Sequence, residues 1–322
     1  LHKGSKASAE YTRAAFRWKN GELTLAKMGE PLNVVYSRPL PEGAEPSIVS
    51  VSKDAAGRWF VSMLVEDASV KPLPTTDAAV GVDVGLTSLV TLSRPVECLT
   101  DSDGKIANPR SERRDRARLA KAQREVARKQ RASSNRAKAQ AKVAKIHTRI
   151  ADRRRDFLHK LTTRLVQDNQ LIVIEDLAVQ GMMSNHTLAR AISDAAWAEL
   201  RSFLEYKCRW YGRDLVAIDR WYPSSKVCSA CGTIKARLPL HARIFQCDNA
   251  ACGLVLDRDV NAARNILAAG LAVTACGAGV RPQRRSSGRA IGGEAGSPAA
   301  RAAGSSAPVV GGGRSSVPDI LA

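Results

Sequence analysis

The chain has 322 residues, 44% of them hydrophobic, enough for one large or two modest cores, and most of it is expected to fold. Its 50 Lys and Arg against 31 Asp and Glu leave a formal charge of +19, a surplus that points to a polyanionic partner; nucleic acid comes first, because neutralising phosphates releases condensed counterions. No apolar run approaches the roughly 18 residues of a membrane span and Leu1-His2-Lys3-Gly4-Ser5 lacks an apolar signal core, so the expectation is a cytoplasmic, nucleoid-associated protein whose seven cysteines are thiols or metal ligands, not disulfides.

Residues 1–75 read as β-rich, a partial small β-barrel. Trp59–Glu66 is a strong strand candidate after the Ala56-Gly57 turn. Shorter strands are expected around Leu23–Lys27 and Leu32–Tyr36, separated by Gly and Pro. Val80–Gly85 is an apolar strand with one acid inside it, and Thr87–Ser93 is close enough to complete a hairpin. Asp101-Ser102-Asp103-Gly104 gives a further turn.

Residues 110–167 are helical and strongly basic, with twenty Lys and Arg against five Asp and Glu. Ser133-Ser134-Asn135 divides them into two helices of a hairpin. The second carries Ile146, Ile150, Leu158, Leu161 and Leu165 at helical spacing, a stripe that rests on a core while the Arg and Lys faces stay outside. The alternating charge signs of a solvated coiled coil are mostly missing. Leu171–Ile174 is a short buried-type strand ending in Glu175-Asp176. A helix at about 194–211 places Trp197, Leu200, Leu204 and Cys208 on one face, and Leu215–Ile218 is another buried strand. A last helix runs from near Asp259 to about Ala272. Beyond Gly277 the Gly, Ser, Ala, Pro and Arg composition predicts a disordered tail over 276–322.

Three acids stand out. Asp83 interrupts an apolar strand, where an ionised carboxylate needs a cation or hydrogen bonds. Glu175 ends a second such strand, and Asp259 begins a helix. If the two strands are parallel neighbours, both acids project at the same edge of the sheet, the edge where open α/β sheets place ligands. Converging carboxylates are hard oxygen ligands suited to Mg²⁺ or Mn²⁺. Strand alternation turns Asp176 to the other face. Asp257 reads as a cap or turn residue, and Asp219 is a possible accessory acid.

Cys228-Ser229-Ala230-Cys231 and Cys247-Asp248-Asn249-Ala250-Ala251-Cys252 are two pairs fifteen residues apart. The spacing predicts a structural Zn²⁺ held by Cys228, Cys231, Cys247 and Cys252, although the second knuckle is longer than usual. Cys98, Cys208 and Cys276 stand alone, with Cys208 expected in the core. The five histidines form no metal motif.

Taken together, Gly81–Gly85, Ile172–Leu177, Ser224–Gly232 and Cys252-Gly253 through Asp257-Arg258-Asp259-Val260-Asn261-Ala262-Ala263-Arg264-Asn265-Ile266 resemble the TnpB (OrfB) insertion-sequence family, relatives of the type V CRISPR effector nucleases. The resemblance spans about 55 to 270. It implies an α/β RuvC-like (RNase H fold) mixed sheet with an inserted zinc ribbon. The implied layout is a wedge-like partial barrel over 1–75, a nuclease core over 76–223 with its basic hairpin at 110–167, a zinc ribbon over 224–257 and a closing helix over 258–275. Asp83, Glu175 and Asp259 take the catalytic, magnesium-binding positions, and the four cysteines take the zinc positions. The implied activity is two-metal-ion hydrolysis of DNA, guided by an RNA from the transposon end, in a family often labelled transposase. The family's N-terminal recognition lobe is expected to be missing or shortened here. Two competing readings are a nuclease-dead nucleic-acid-binding remnant or repressor, and a strand-transfer transposase or junction resolvase.

Overall fold

In the computed structural model, residues 7–275 apart from 69 and 240 are described; the expected tail and Cys276 lie outside the described residues. The N-terminal part is built from β1 (Ala7–Thr12), β2 (Phe16–Lys19), β3 (Glu22–Leu25), β4 (Ile48–Lys53) and β5 (Trp59–Leu64). β1, β4 and β5 form an antiparallel sheet. β2 and β3 form a hairpin whose two-residue turn, Asn20-Gly21, has positive φ at both positions (54° and 80°), the conformation that matches the twist of the flanking strands. Leu23, Leu25, Val49 and Val51 make the shared core.

The strand expected at Leu32–Tyr36 does not form. Its β-branched residues follow Pro31, and the Leu32 N–H reaches the Leu23 carbonyl at 2.7 Å. Leu32 packs against the shared core, but the segment joins none of the described sheets and Val35 is 93% exposed. Apolar character without a partner strand is not enough.

The larger part is a five-stranded mixed sheet of β6 (Ala79–Val84), β7 (Ser88–Leu92), β8 (Lys105–Ala107), β9 (Leu171–Glu175) and β10 (Asp214–Ile218), in the order β10-β9-β6-β7-β8. β6, β7 and β8 are antiparallel, while β9 runs parallel to both β6 and β10. Between β8 and β9 come two long helices, α1 (Ser111–Ala127) and α2 (Ser134–Asp168). The break expected between them is present, and Ser133 caps α2 by accepting the Arg136 N–H at 3.2 Å. α1 is capped from a distance: both Asp194 carboxylate oxygens accept the Glu112 N–H, at 3.0 and 3.1 Å.

After β9 the chain forms α3 (Val179–Met182), α4 (Ala189–Ala195) and α5 (Trp197–Tyr211). The helix expected at about 194–211 forms as α5, beginning at Trp197, with Trp197, Leu200, Leu204 and Cys208 buried on one face. Ala196 takes a left-handed φ of 52°, which ends α4 and swings Trp197 into the core. Next come β11 (Ile244–Gln246) and β12 (Val255–Asp257), which pair antiparallel, and then α6 (Arg258–Ala275).

Alternate residues of β9 face opposite sides. Ile172 and Ile174 join Leu158, Leu161 and Leu165 of α2 and Trp197, Leu200, Leu204 and Cys208 of α5 in the main core. Leu171 and Val173 join Val216, Ile218 and Ile266 of α6 on the other side. A sheet covered on both faces explains why β6, β9 and β10 read as nearly continuous apolar runs. No helix among the described residues is long and apolar enough to cross a membrane.

Candidate functional site

The parallel register sets Val82 opposite Ile174, so Asp83 and Glu175 follow one step further along neighbouring strands. Both sit at the carboxyl ends of their strands and both are half-buried. α6 brings the third acid. Its first turn holds Asp259, and its N-terminus is capped by Asp257, whose Oδ1 accepts the N–H groups of Asp259 at 2.9 Å and Val260 at 3.2 Å. Lys105 of β8 pairs with Asp257 at 2.6 Å, tying that cap to the edge of the sheet.

Asp83 feels the charge of both other acids. Burial, then the charges of Glu175 and Asp259, hold the Asp83 carboxyl well above the usual carboxylate range. Burial also raises Glu175, against a hydrogen bond from Ser224, whose Oγ donates to Oε1 at 2.6 Å. A buried carboxyl whose ionisation is opposed by neighbouring acids is suited to holding a cation. All donors here are hard oxygens, which fits a divalent ion. The carboxylates are not drawn as close together as the cysteines: among the described residues, the cysteine group is the one set of three or more candidate ligands compact enough to hold an ion.

The neighbouring acids are otherwise engaged. Asp176 forms ion pairs with Arg201 at 2.6 Å and with Arg220, and Arg201 in particular holds its carboxyl below the usual range. Asp219 shapes a turn, accepting the Trp221 N–H at 2.7 Å.

Sequence reasoning assigned no role to Ser224, Asn261 or Asn265. Asn261 and Asn265 are buried on α6 and pin the segment leading into the first cysteine pair. Asn261 Nδ2 donates to the Val227 carbonyl at 2.7 Å and its Oδ1 accepts the Ser229 N–H at 3.0 Å. Asn265 Nδ2 donates to the carbonyls of Ser224 and Val227, both at 2.7 Å. The legible signal was amide side chains on the apolar face of a helix, which must be hydrogen-bonded when buried.

The ligand atoms of Cys228, Cys231, Cys247 and Cys252 lie within 4.8 Å of one another. Sγ–Sγ separations of 3.8 Å (Cys228–Cys252) and 3.5 Å (Cys231–Cys247) are close to the roughly 3.8 Å edge of a tetrahedral zinc–thiolate site. The long second knuckle closes on Asn249. Its carbonyl accepts the Cys252 N–H at 3.0 Å, its Oδ1 accepts the Ala251 N–H at 3.0 Å, and its own N–H points at Cys247 Sγ at 3.4 Å. Phe245 fills the small core behind the cysteines. Cys208 is buried in the main core and Cys98 is exposed.

Two family models match the chain. The OrfB_IS605 model, described as "Probable transposase", covers residues 60–186, and "Cas12f1-like, TNB domain" covers residues 197–266. A Streptomyces pristinaespiralis protein named "Putative RNA-guided DNA endonuclease" is 65% identical over 88% of this chain and 68% of its own length. "Putative RNA-guided DNA endonuclease InsQ" of Escherichia coli (strain K12) is 36% identical over 73% of this chain and 60% of its own. The solved structure of a Cas12f1–sgRNA–target DNA complex superposes with a TM-score of 0.47 and 16% identity over 69% of this chain and 45% of that one. The chain thus spans between 60% and 68% of the length of the two curated relatives.

Proposed function

The chain belongs to the TnpB (OrfB) insertion-sequence family, and from that premise we propose that it is a divalent-metal-dependent DNA endonuclease with a RuvC-like core, directed by a guide RNA from the transposon end. The observation that carries this reading is the placement of Asp83, Glu175 and Asp259 at one edge of the mixed sheet, close enough for each to affect the ionisation of Asp83.

In this reading the three carboxylates hold Mg²⁺ or Mn²⁺. Bound there, such ions supply an activated water and stabilise the departing 3′ oxygen. The protein contributes position. Ser224 fixes the Glu175 carboxylate, and the Asp257 cap fixes the first turn of α6 and with it Asp259. Asn261 and Asn265 tie α6 to the cysteine hairpin. That hairpin is read as a zinc ribbon over 224–257. With all four ligands supplied by protein, its metal is structural, not catalytic. The domain division follows: a wedge-like domain over 1–75, the nuclease core over 76–223 completed by 258–275, and the basic hairpin at 110–167 as a phosphate-backbone contact.

The test is cleavage of a guide-matched DNA target in Mg²⁺ by the purified chain with its copurifying RNA, beside Asp83→Ala. The expected result is metal-dependent cutting that the substitution abolishes. Equal cutting by Asp83→Ala overturns the assignment.

A further inference from the structure

Trp221 is 85% exposed, against 51% for Trp210. An indole offers one of the largest apolar surfaces of any side chain, and this one is left almost wholly in water. The segment that carries it is firmly held. The Trp221 N–H is fixed on Asp219 Oδ1 at 2.7 Å, and the Tyr222 N–H on the Asp219 carbonyl at 3.1 Å. Tyr222 packs against the core on the α6 side of the sheet.

The residues on either side of the indole lead to the carboxylate site. Arg220 pairs with Asp176, next to Glu175, and Ser224 donates to Glu175 itself. Trp221 is thus an exposed aromatic on a backbone held beside the candidate nuclease centre, next to Arg220, which shares Asp176 with Arg201.

An exposed aromatic face on a chain with a formal charge of +19 matches the chemistry of a nucleic-acid strand, phosphate on the charges and base on the ring. The occupant is single-stranded. In a duplex each base face is already covered by its neighbours and only base edges are offered; an unpaired base can lay its face on the indole. We propose that Trp221 is a stacking platform for an unpaired base of the DNA strand that enters the carboxylate site. The proposal rests on the nuclease reading above for the identity of that strand.

Its test does not need cleavage. Binding of a fluorescein-labelled oligothymidylate to the purified chain is measured by anisotropy across a salt series, without added Mg²⁺. Wild type is compared with Trp221→Ala and Trp221→Phe. Trp221→Ala is expected to bind roughly tenfold more weakly, while Trp221→Phe, which keeps an aromatic face, stays within about twofold of wild type. Both should keep the wild-type salt slope, since neither removes a charge, and duplex of the same length should bind all three proteins alike. Quenching of tryptophan emission by the oligonucleotide should shrink in Trp221→Phe although its affinity is kept. Undiminished single-strand affinity in Trp221→Ala, or undiminished quenching in Trp221→Phe, overturns the proposal; a Trp221-dependent increment larger for oligouridylate than for oligothymidylate overturns the assignment to DNA. Loss of binding in Trp221→Ala with no cleavage by wild type would leave the stacking site standing and remove the nuclease reading. Intact cleavage with unaltered binding does the reverse.

Discussion

A β-carbon built on Gly81 would lie 2.1 Å from the Ala263 carbonyl oxygen and 2.7 Å from the Leu267 nitrogen. The backbone of α6 therefore rests directly on β6, two residues before Asp83 and four residues after Asp259. This contact helps set how closely those two acids approach. Gly81→Ala forces backbone away from backbone, with no flexible side chain to give. It is expected to destabilise the fold by about 1–3 kcal/mol, as overpacking does, and to lower cleavage more than a surface substitution of equal stability effect. Urea unfolding and a cleavage assay check it; a wild-type midpoint would show that α6 yields easily.

Lys207 is buried on α5 and, among the described residues, forms no ion pair. Its Nζ donates to the His159 carbonyl and the Thr162 hydroxyl at 2.7 Å, and to the Thr163 hydroxyl at 2.8 Å, clamping α5 to α2. Burial pulls its pKa down from 10.5 to about 8. Below that value both folded and unfolded chains carry the charge, and the fold bears the full desolvation penalty. As pH rises from about 8 towards 10.5, the folded state releases its proton first and the penalty is relieved. Wild type should therefore gain stability relative to Lys207→Met over that window. Paired urea titrations at pH 7 and pH 10 read the difference; one that stays constant removes the buried-ammonium account.

If the four cysteines hold a metal as proposed, chelating it should open residues 225–257 before the rest, because a small core of Phe245 and the cysteines leaves the stability of that stretch mostly to the ion. Hydrogen exchange mapped by peptide is the measurement. Early exchange confined to this stretch, matched by Cys228→Ser without chelator, is the expected pattern. Protection that persists after chelation would assign the ribbon's stability to its packing.

Arg113, Arg114 and Arg118 are exposed on α1, part of a segment with far more bases than acids. If they lie along a phosphate backbone, changing all three to Gln should reduce the slope of log affinity against log salt by about 2–3. Thermal stability should hardly move, since exposed sites contribute little. An unaltered slope places the nucleic acid elsewhere.

Some elements could be read directly because their signals are local. Ser133 caps α2 where a Ser-Ser-Asn break was expected. The stripe of Ile146, Ile150, Leu158, Leu161 and Leu165 is buried as its spacing requires. The cysteine pairs converge as expected, since each knuckle is only a few residues long.

Elements that depend on distant partners were harder. The run at Leu32–Tyr36 looked like a strand and finds no sheet. β8 and α3 are three and four residues long, too short for periodicity to register. The turn at Ala196 has no Gly or Pro to mark it, and its left-handed φ of 52° directly precedes the buried Trp197.

The sequence by itself determined the alternation of apolar strands and helices, the basic hairpin, the four thiolates and the three acids, because each is written in neighbouring residues. Only the tertiary structure decided that β6 and β9 run side by side in parallel, that α6 lies on Gly81, and that Asn261 and Asn265 bind the cysteine hairpin to the sheet. Those relations join residues many tens of positions apart through backbone contact and hydrogen bonds between buried groups. A local pattern carries no record of which distant carbonyl will accept a given amide, or which helix will find room against a given strand.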